Sequence, residues 1–338
     1  MIKTQAEVVC CDNTWLIAQS SPLKTPRVNT TMPNPYVDIF RENSRPLEPI
    51  ATDAAPVLKR LKGIKAVMFD VYGTLIISAS GEVGTAAERS TGKAATPAEA
   101  IEGAFAACDI PLFGQSANIK ANCDAVARLF FQAIESSHSS SQAEGVDYPE
   151  VDILEIWRSV LDKLADYMVI EEPVADDCDM KRLAVEYEAR VNPCWPMPGL
   201  QKCLEDLQQA GKTTGIISNA QFFTPLVFKA LTDKTFEKLG FRAGLQYYSY
   251  RSGFAKPGTG LFDLAVEGLA ALGISPGETI FVGNDMLNDV LPAHVVGFNT
   301  ALFAGDNRSL RCREGDPRVD KISPDLVLTD LDQLADCV

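Results

Sequence analysis

Residues 65–75 are Lys65-Ala66-Val67-Met68-Phe69-Asp70-Val71-Tyr72-Gly73-Thr74-Leu75, an apolar run that ends in a carboxylate and a turn. The four apolar residues from Ala66 to Phe69 predict a strand covered on both faces, as in a parallel sheet, and Gly73 allows a sharp turn after it. We expect Asp70 just beyond the carboxyl end of this strand, where open α/β sheets bind ligands. A carboxylate held there is a candidate nucleophile or metal ligand, although an Asp that merely caps a turn gives the same pattern.

The length and composition indicate a soluble protein with a large core. With 338 residues the chain exceeds a typical single domain, so we expect a main domain with one substantial insertion. Hydrophobic residues make up 46% of it, charged residues 22%, and no apolar run reaches the roughly 18 residues that span a bilayer. The nine cysteines, an odd number without a Cys-x-x-Cys pair, favour reduced thiols, and the apolar patch from Val8 to Cys11 is too short for a secretory signal. We therefore predict a cytoplasmic protein without a membrane partner.

The charge balance limits the possible partners and chemistry. A formal net charge of −14 argues against a nucleic-acid partner, because phosphate backbones require clustered Lys and Arg. An anionic small-molecule substrate would need local positive charge in this chain. The two histidines, His138 and His294, leave little material for a Ser-His-Asp triad or a His-rich metal centre. We expect His138, in a serine-rich stretch, to be solvated and His294 to lie on a helix surface.

The first part of the chain gives few structural signals. Residues 1–50 carry six prolines among polar residues and predict an extended or disordered arm, and Met1 and Met32 are both possible starts. Helical character is predicted from Asp53 to a stop at Gly63.

After Leu75, helical patterns replace strand patterns for more than a hundred residues. Thr96-Pro97-Ala98-Glu99 is a capping box that opens a helix to about Cys108. Three more helices are predicted by apolar stripes at helical spacing, namely Ile119, Cys123, Val126, Phe130 and Ile134; Ile153, Trp157, Val160 and Leu164; and Met180, Leu183, Tyr187 and Val191. A loop is predicted from Ser136 to Gly145. We assign residues 78–195 to this helical cap domain, whose position decides which substrates enter.

From Pro198 onward helices and strands alternate, which predicts a parallel sheet with helices on both faces. After a helix from Pro198 to Ala210, the predicted strands are Thr214–Ser218, Leu245–Tyr250, Thr279–Gly283, Thr300–Phe303 and an edge strand Leu326–Leu328. Residues 51–77 and 196–338 thus form an α/β, Rossmann-like core domain. Polar residues follow these strands: Ser218 and Asn219 after one, Lys256 where a helix begins, and Asn284, Asp285 and Asp289 after another. We expect them to meet Asp70 at one edge of the sheet.

Over about residues 50–330, these four segments resemble in order the motifs of the haloacid dehalogenase (HAD) superfamily, and the insertion is similar to its C1-type cap. The resemblance implies a HAD-like sheet and assigns a role to each position: Asp70 the nucleophile, Thr74 a support of its loop, Ser218 and Asn219 binding the transferring group, Lys256 offsetting charge, and Asp285 with Asp289 closing the site. It also implies that Mg²⁺ is held by Asp70, the backbone carbonyl of Tyr72, Asp285 and Asp289, which suits an anionic nucleophile attacking a phosphate. Either Asn284 or Asp285 fits the metal-ligand position, and Asp285 or Asp289 alternatively caps the following helix.

Tyr72 departs from the pattern of the phosphatases, which carry a second Asp there as general acid and base. In this respect the chain is similar to the 2-haloacid dehalogenases, which use no metal. Three hypotheses follow: a Mg²⁺-dependent hydrolase of a small phosphorylated metabolite that forms an aspartyl-phosphate; a 2-haloacid dehalogenase with Arg89 or Arg128 holding the substrate; and a binding protein without catalysis. A phosphonoacetaldehyde hydrolase would instead need a cap lysine such as Lys93, Lys120 or Lys163.

The cap is expected to move on hinges at Gly81 and Gly84 in one connection and at the proline cluster Pro193, Pro196 and Pro198 in the other. A pocket that accepts only small substrates should then lie between the cap and Asp70, lined by Tyr72, Ser218, Asn219 and Lys256.

Overall fold

A computed structural model describes residues 34–80, 94–112, 119–170 and 178–338. The residues from Pro35 to Val338 belong to one compact unit. The predictions made for Met32, the hinge glycines Gly81 and Gly84, Arg89 and Lys93 lie outside the described residues. Within them, no helix is long and apolar enough to cross a membrane.

The described residues form eight strands. In chain order they are β1 (Ala66–Phe69), β2 (Ile76–Ser78), β3 (Cys194–Pro196), β4 (Thr213–Ser218), β5 (Phe241–Tyr248), β6 (Thr279–Gly283), β7 (Asn299–Phe303) and β8 (Leu326–Leu328). Six of them make one parallel sheet in the order β5-β4-β1-β6-β7-β8, and β2 pairs antiparallel with β3 in a separate ribbon. All four residues of β1 are fully buried, which confirms that this strand is covered on both faces. The α/β, Rossmann-like fold is confirmed.

The described helices pack around this sheet or lie between β2 and β3 along the chain. They are α1 (Pro35–Asn43), α2 (Pro97–Ala107), α3 (Ile119–Ala143), α4 (Ile153–Asp166), α5 (Met180–Val191), α6 (Leu200–Gln209), α7 (Thr224–Thr232), α8 (Ser249–Ser252), α9 (Gly260–Ala270), α10 (Leu291–Val295) and α11 (Leu334–Cys337). Single turns of 3₁₀ helix lie at Glu237–Leu239, Pro276–Glu278 and Leu331–Gln333, and a wide π-helical turn at Met286–Val290 precedes α10.

Helices α2 to α5 lie between β2 and β3 in the chain and share a hydrophobic cluster of their own. Its centre is Trp157, whose ring is fully buried and lies 4.6 Å from that of Phe130 and 5.2 Å from that of Tyr187. Because the helix predicted from the capping box and the three helices predicted from apolar stripes all supply this cluster, the four helices are confirmed, and the capping box of Thr96 and Glu99 is formed. The division into a core domain and a cap domain stays a prediction.

Two predictions for the first part of the chain are wrong. The arm predicted for residues 1–50 is wrong at α1, which buries Val37 and Phe40, while residues 1–33 lie outside the described residues. Proline is favoured in a first helical turn, so Pro35 does not break this helix. The helix expected from Asp53 is instead extended backbone. Val57 there exchanges two backbone hydrogen bonds with Val327, of 2.9 and 3.0 Å, and thereby covers the edge of β8.

The loop predicted from Ser136 to Gly145 is also wrong, because α3 continues to Ala143. The hydroxyls of Ser139 and Ser140 donate to carbonyls four residues earlier, at 2.8 and 3.0 Å, so these serines satisfy their hydroxyls on the helix itself. The run of serines therefore does not interrupt the helix.

Candidate active site

The carboxyl ends of three neighbouring strands bring the predicted residues together. Asp70 follows β1, Asn219 follows β4 and Asp285 follows β6, and since these strands are adjacent and parallel, their ends lie at one edge of the sheet. A cavity of about 180 Å³ opens there, and we call it the small cavity. Its lining includes Asp70, Tyr72, Asn219, Lys256, Asp285, Asp289, Arg311 and Arg313.

Lys256 is the central cation of the small cavity. Its Nζ lies 2.7 Å from Asp70 Oδ1 and 2.5 Å from Asp289 Oδ1, and its side chain is only 3% exposed. Burial lowers the pKa of the Lys256 ammonium, but the negative charges of Asp289 and Asp70 more than offset this, so the pKa lies above its ordinary value. Lys256 therefore stays charged at any physiological pH, beside the predicted nucleophile.

Asp289 is buried beside the end of β6. Burial raises the pKa of its carboxyl, as do the charges of Asp70 and Asp285, while Lys256 opposes them. The second carboxylate oxygen of Asp289 accepts a hydrogen bond from the backbone N–H of Asp285 at 3.0 Å. A Cβ on Gly283 would collide with the Asp289 carboxyl group, which explains why glycine ends this strand.

Asp285 is held by a cation that the sequence did not reveal. Arg313 donates from Nε to Asp285 Oδ1 at 3.0 Å and from Nη2 to Oδ2 at 2.6 Å, a bidentate pair. Asp285 Oδ1 also accepts the backbone N–H groups of Leu287 at 2.8 Å and Asn288 at 3.3 Å, so the carboxylate does cap the turn after it. Arg313 lies 28 residues further along in the connection between β7 and β8. The feature of the sequence that could have indicated Arg313 is the pair of cations Arg311 and Arg313 in an acidic chain.

Thr74 and Ser218 are fully buried and line neither this cavity nor the larger one described below. Thr74 Oγ1 donates to Asn284 Oδ1 at 3.0 Å, and the Asn284 amide donates to the Ser309 carbonyl at 2.7 Å, which ties the turn after β1 to β6. Ser218 Oγ faces the Asn219 carbonyl at 3.4 Å. The predicted pocket thus contains Tyr72, Asn219 and Lys256 but not Ser218.

Gly73 makes the predicted turn after Asp70. Its φ of +83° lies in the left-handed region, and a Cβ there would lie 2.5 Å from Ser309 Cβ. The turn leaves the Tyr72 side chain buried, with its hydroxyl 3.0 Å from Thr224 Oγ1. Burial raises the pKa of the Tyr72 phenol well above its ordinary value, and the charges of Glu188 and Asp70 add to this. Tyr72 is therefore a poor acid in this site.

The residues predicted to hold Mg²⁺ offer the oxygen atoms that this ion prefers. In the described part of the chain, Asp70 Oδ2 and the Tyr72 carbonyl accept no hydrogen bond, so both are available. Both Asp285 oxygens hold Arg313, and no cluster of three His, Cys, Asp or Glu side chains is found among the described residues. Asp70, the Tyr72 carbonyl and Asp285 fit a magnesium ion on condition that Arg313 releases Asp285, whereas both oxygens of Asp289 are engaged by Lys256 and the Asp285 N–H.

A second cavity of about 420 Å³ meets the small cavity at Asn219 and Lys256, and we call it the large cavity. Helices α3 and α5 form one wall, with Phe130, Ile134 and Tyr187, and the loop before α4 contributes Glu150. It is large enough for a drug-sized molecule, so the expectation that only small substrates enter is not supported by the volume.

Three titratable groups of the large cavity, His138, Glu150 and Glu188, were not identified as site residues from the sequence. His138 was expected to be solvated, but its Nε2 is buried without a partner among the described residues, and burial lowers its pKa. Burial likewise raises the pKa of the Glu188 carboxyl to about 7, with the Asn192 hydrogen bond opposing it. Polar residues on amphipathic helices carry no signal that separates a cavity wall from a solvated face.

The basic candidates proposed for the other chemistries lie elsewhere. Arg128 lines a third cavity, of about 310 Å³, between α3 and α4. Lys120 and Lys163 line none of the three cavities.

A model of the haloacid dehalogenase-like hydrolases matches residues 64–297. A curated relative, the glyceraldehyde 3-phosphate phosphatase of Methanothermobacter thermautotrophicus, is 32% identical over 146 residues, which are 41% of this chain and 57% of the relative. The chain thus matches little more than half of that relative's length.

Two solved structures are similar in fold. A 2-haloacid dehalogenase from Pseudomonas syringae shows 17% identity with a TM-score of 0.48, and the match covers 81% of this chain and 97% of that one. A HAD phosphatase from Thermococcus onnurineus shows 19% identity with a TM-score of 0.44, again over 81% and 97% of the two chains.

Proposed function

Because the chain belongs to the family of haloacid dehalogenase-like hydrolases, and is therefore a hydrolase, we propose that it hydrolyses a phosphate ester of a small molecule with Asp70 as the nucleophile. The observation that carries the proposal is the position of Lys256, whose Nζ lies 2.7 Å from Asp70 Oδ1 and which lines both cavities. An anionic nucleophile and an anionic phosphate repel each other, and a fixed cation between them lowers this repulsion.

The residues present account for the main steps. A phosphate group in the small cavity would lie among Asp70, Lys256 and the Asn219 amide, with Arg311 and Arg313 at its side. Asp70 attacks phosphorus to give an aspartyl-phosphate, and water then releases phosphate from it. The organic part of the substrate would occupy the large cavity, whose walls combine aromatic and polar side chains.

Mg²⁺ is part of the proposal, held by Asp70, the Tyr72 carbonyl and either Asp285 or Asn284, with Asp289 beside them. When bound, it would supply further positive charge for the developing charge on the phosphate. In this chain Arg313 supplies positive charge at the same carboxylate, Asp285, when the ion is not there. A cytoplasmic location and an anionic small-molecule substrate stay predictions.

Halide displacement from a 2-haloacid is the second candidate, because Tyr72 lines the small cavity where the phosphatases of the family carry an acid. The arginines proposed to hold its substrate do not support it, since Arg128 lines a different cavity and Arg89 lies outside the described residues. A binding protein without catalysis is the third.

One set of assays separates these candidates. Phosphate release from a panel of phosphate monoesters and acyl phosphates is measured with Mg²⁺ or with EDTA, and halide release from 2-chloropropionate is measured in parallel. We expect phosphate release by the wild type and its loss in Asp70→Asn, while Asp166→Asn at the exposed end of α4 stays active. Phosphate release that persists in Asp70→Asn would overturn the covalent mechanism. Halide release alone would favour the dehalogenase, and no turnover at all would favour the binding protein.

A further inference from the structure

Glu188 lies on α5 and lines the large cavity, which also reaches Lys256 and Asn219. Lys256 in turn contacts Asp70, so Glu188 shares one continuous space with the nucleophile's cationic partner. The side chain is partly buried, and no cation forms an ion pair with it in the part of the chain that the structure describes. A carboxyl group in this setting has no charge partner that would fix it as an anion.

Asn192 holds Glu188 in one orientation. Its Nδ2 donates to Glu188 Oε1 at 3.1 Å, and its Oδ1 accepts the Ser78 hydroxyl at 2.7 Å and the Ser80 backbone N–H at 3.3 Å. Since two donors converge on the Asn192 oxygen, its amide nitrogen must face Glu188. This leaves Glu188 Oε2 as the oxygen that can carry a proton.

The other carboxyl groups of the two cavities are occupied or exposed. Asp289 pairs with Lys256, and Asp285 pairs with Arg313. Glu150 accepts three hydrogen bonds, from Ser249 Oγ at 2.6 Å, the Val151 N–H at 2.9 Å and the Gln221 amide at 3.4 Å. Asp147, at the large cavity's rim, is exposed to solvent.

The surroundings of Glu188 favour its protonated form near neutral pH. Burial raises the pKa of its carboxyl to about 7, which suits a proton donor that must also take a proton back. The charge of Glu188 raises the pKa values of Tyr72, Tyr187 and Cys194, and the other titratable groups that line the large cavity are His138, Asp147, Tyr148, Glu150 and Lys256. Tyr72 is too weak an acid to serve in its place.

We propose that Glu188 is the proton donor to the leaving group, a catalytic role that rests on the proposed phosphatase function. Asp70 forms a bond to phosphorus while the bond from phosphorus to the ester oxygen breaks. The electron pair stays on that oxygen, which takes the proton from Glu188 Oε2 and leaves as the alcohol. The Glu188 carboxylate then takes a proton from the water that attacks the aspartyl-phosphate, which gives inorganic phosphate and restores both carboxyl groups. Because the donor lies in the large cavity, the substrate class is an ester whose alcohol needs protonation and whose organic part contacts apolar walls.

The test compares Glu188→Gln with Glu150→Gln on three esters of similar shape: p-nitrophenyl phosphate, phenyl phosphate and benzyl phosphate. The p-nitrophenolate ion leaves readily without a proton, whereas the benzyl alkoxide does not. For Glu188→Gln we expect kcat/KM to fall about 100-fold with benzyl phosphate and less than about threefold with p-nitrophenyl phosphate. The alkaline fall of the wild-type pH profile with benzyl phosphate should disappear in this variant. Glu150→Gln should keep the wild-type ratio of kcat/KM between benzyl phosphate and p-nitrophenyl phosphate.

The outcomes separate the two levels of the proposal. Equal losses on all three esters in a Glu188→Gln protein with a wild-type circular dichroism spectrum would overturn the role of Glu188 and leave the phosphatase standing. Unchanged turnover of benzyl phosphate by Glu188→Gln would likewise overturn the role of Glu188 and leave the phosphatase standing. A wild type that hydrolyses none of the esters would overturn the proposed function and, with it, this assignment.

Discussion

Asn219 and Lys256 are joined by two hydrogen bonds of opposite direction: the Lys256 N–H donates to Asn219 Oδ1 at 2.8 Å, and Asn219 Nδ2 donates to the Lys256 carbonyl at 3.1 Å. The pair fixes the backbone of Lys256 to the end of β4. Since Lys256 Nζ reaches Asp70 at the end of β1, the three residues link adjacent strands across the site. The position of the cation is thus set by the sheet itself rather than by the loop that carries it.

Asn219→Ala should lower kcat by about 100-fold, because both bonds to the Lys256 backbone are lost and a small displacement of a catalytic group has effects of this size. The measurement is steady-state phosphate release at saturating substrate. Asn299→Ala is the matched control, since the Asn299 amide likewise makes two hydrogen bonds to the backbone, donating to the carbonyls of Gly277 and Thr279, but at the opposite end of the sheet. Equal losses in the two variants would contradict a positioning role for Asn219.

Arg313→Gln should tighten Mg²⁺ binding by about tenfold, because the guanidinium and the ion compete for Asp285 and a bidentate pair to a carboxylate is among the stronger polar contacts. Isothermal titration of Mg²⁺ into protein without substrate measures this directly. Arg318→Gln is the control, since Arg318 lies in the same connection and pairs with the partly exposed Asp316. Weaker Mg²⁺ binding in Arg313→Gln would show that Arg313 supports the metal site instead.

Gly283→Ala should destabilise the protein by about 1–3 kcal/mol, because the added methyl group collides with the buried Asp289 carboxyl. The displaced Asp289 would also release Lys256, so activity should fall more than stability alone explains. Urea denaturation gives the free energy of unfolding. Gly277→Ala, where the added methyl group meets open space, should stay within about 0.5 kcal/mol of the wild type.

Much of the sheet could be predicted from the sequence, because buried parallel strands are short apolar runs with clear ends. The strands at Thr279–Gly283 and Leu326–Leu328 were predicted to the residue. The positions of Asp70 and Asn219 follow from the same logic, since a polar residue directly after a buried strand must lie at the sheet edge.

The rest of the site could not be predicted, for two physical reasons. Arg313 comes from an irregular connection whose path no local pattern fixes, and its backbone φ of +54° is a conformation that arginine seldom adopts. Glu188 is one polar residue on an amphipathic helix, and only the packing of α5 against the core turns it toward a cavity. The average preferences of proline and serine also give wrong predictions at Pro35 and Ser139. Tertiary packing outweighs the preference at Pro35, and a local hydrogen bond outweighs it at Ser139.

The titration of Glu188 predicts a pH-dependent stability that Glu188→Gln should remove. The pKa of this carboxyl is about 7 in the folded protein, because of burial, and about 4.3 in an unfolded chain. Between these values the folded state binds more protons than the unfolded state, so the folded protein loses stability as the pH rises. The contribution is fully present below about pH 4 and lost above about pH 7. A glutamine side chain is neutral at every pH, so Glu188→Gln does not lose this stability contribution as the pH rises.

The free energy of unfolding of Glu188→Gln minus that of the wild type should therefore increase by about 2 kcal/mol from pH 5 to pH 8. Urea denaturation at unit pH steps measures the difference, and the contributions of His138 and Asp289 cancel because both proteins contain them. Glu205→Gln on the exposed face of α6 controls for the removal of one negative charge. A stability difference that stays constant across this range would show that Glu188 is already ionised at pH 5, and a carboxyl that has lost its proton there cannot donate one to a leaving group at neutral pH.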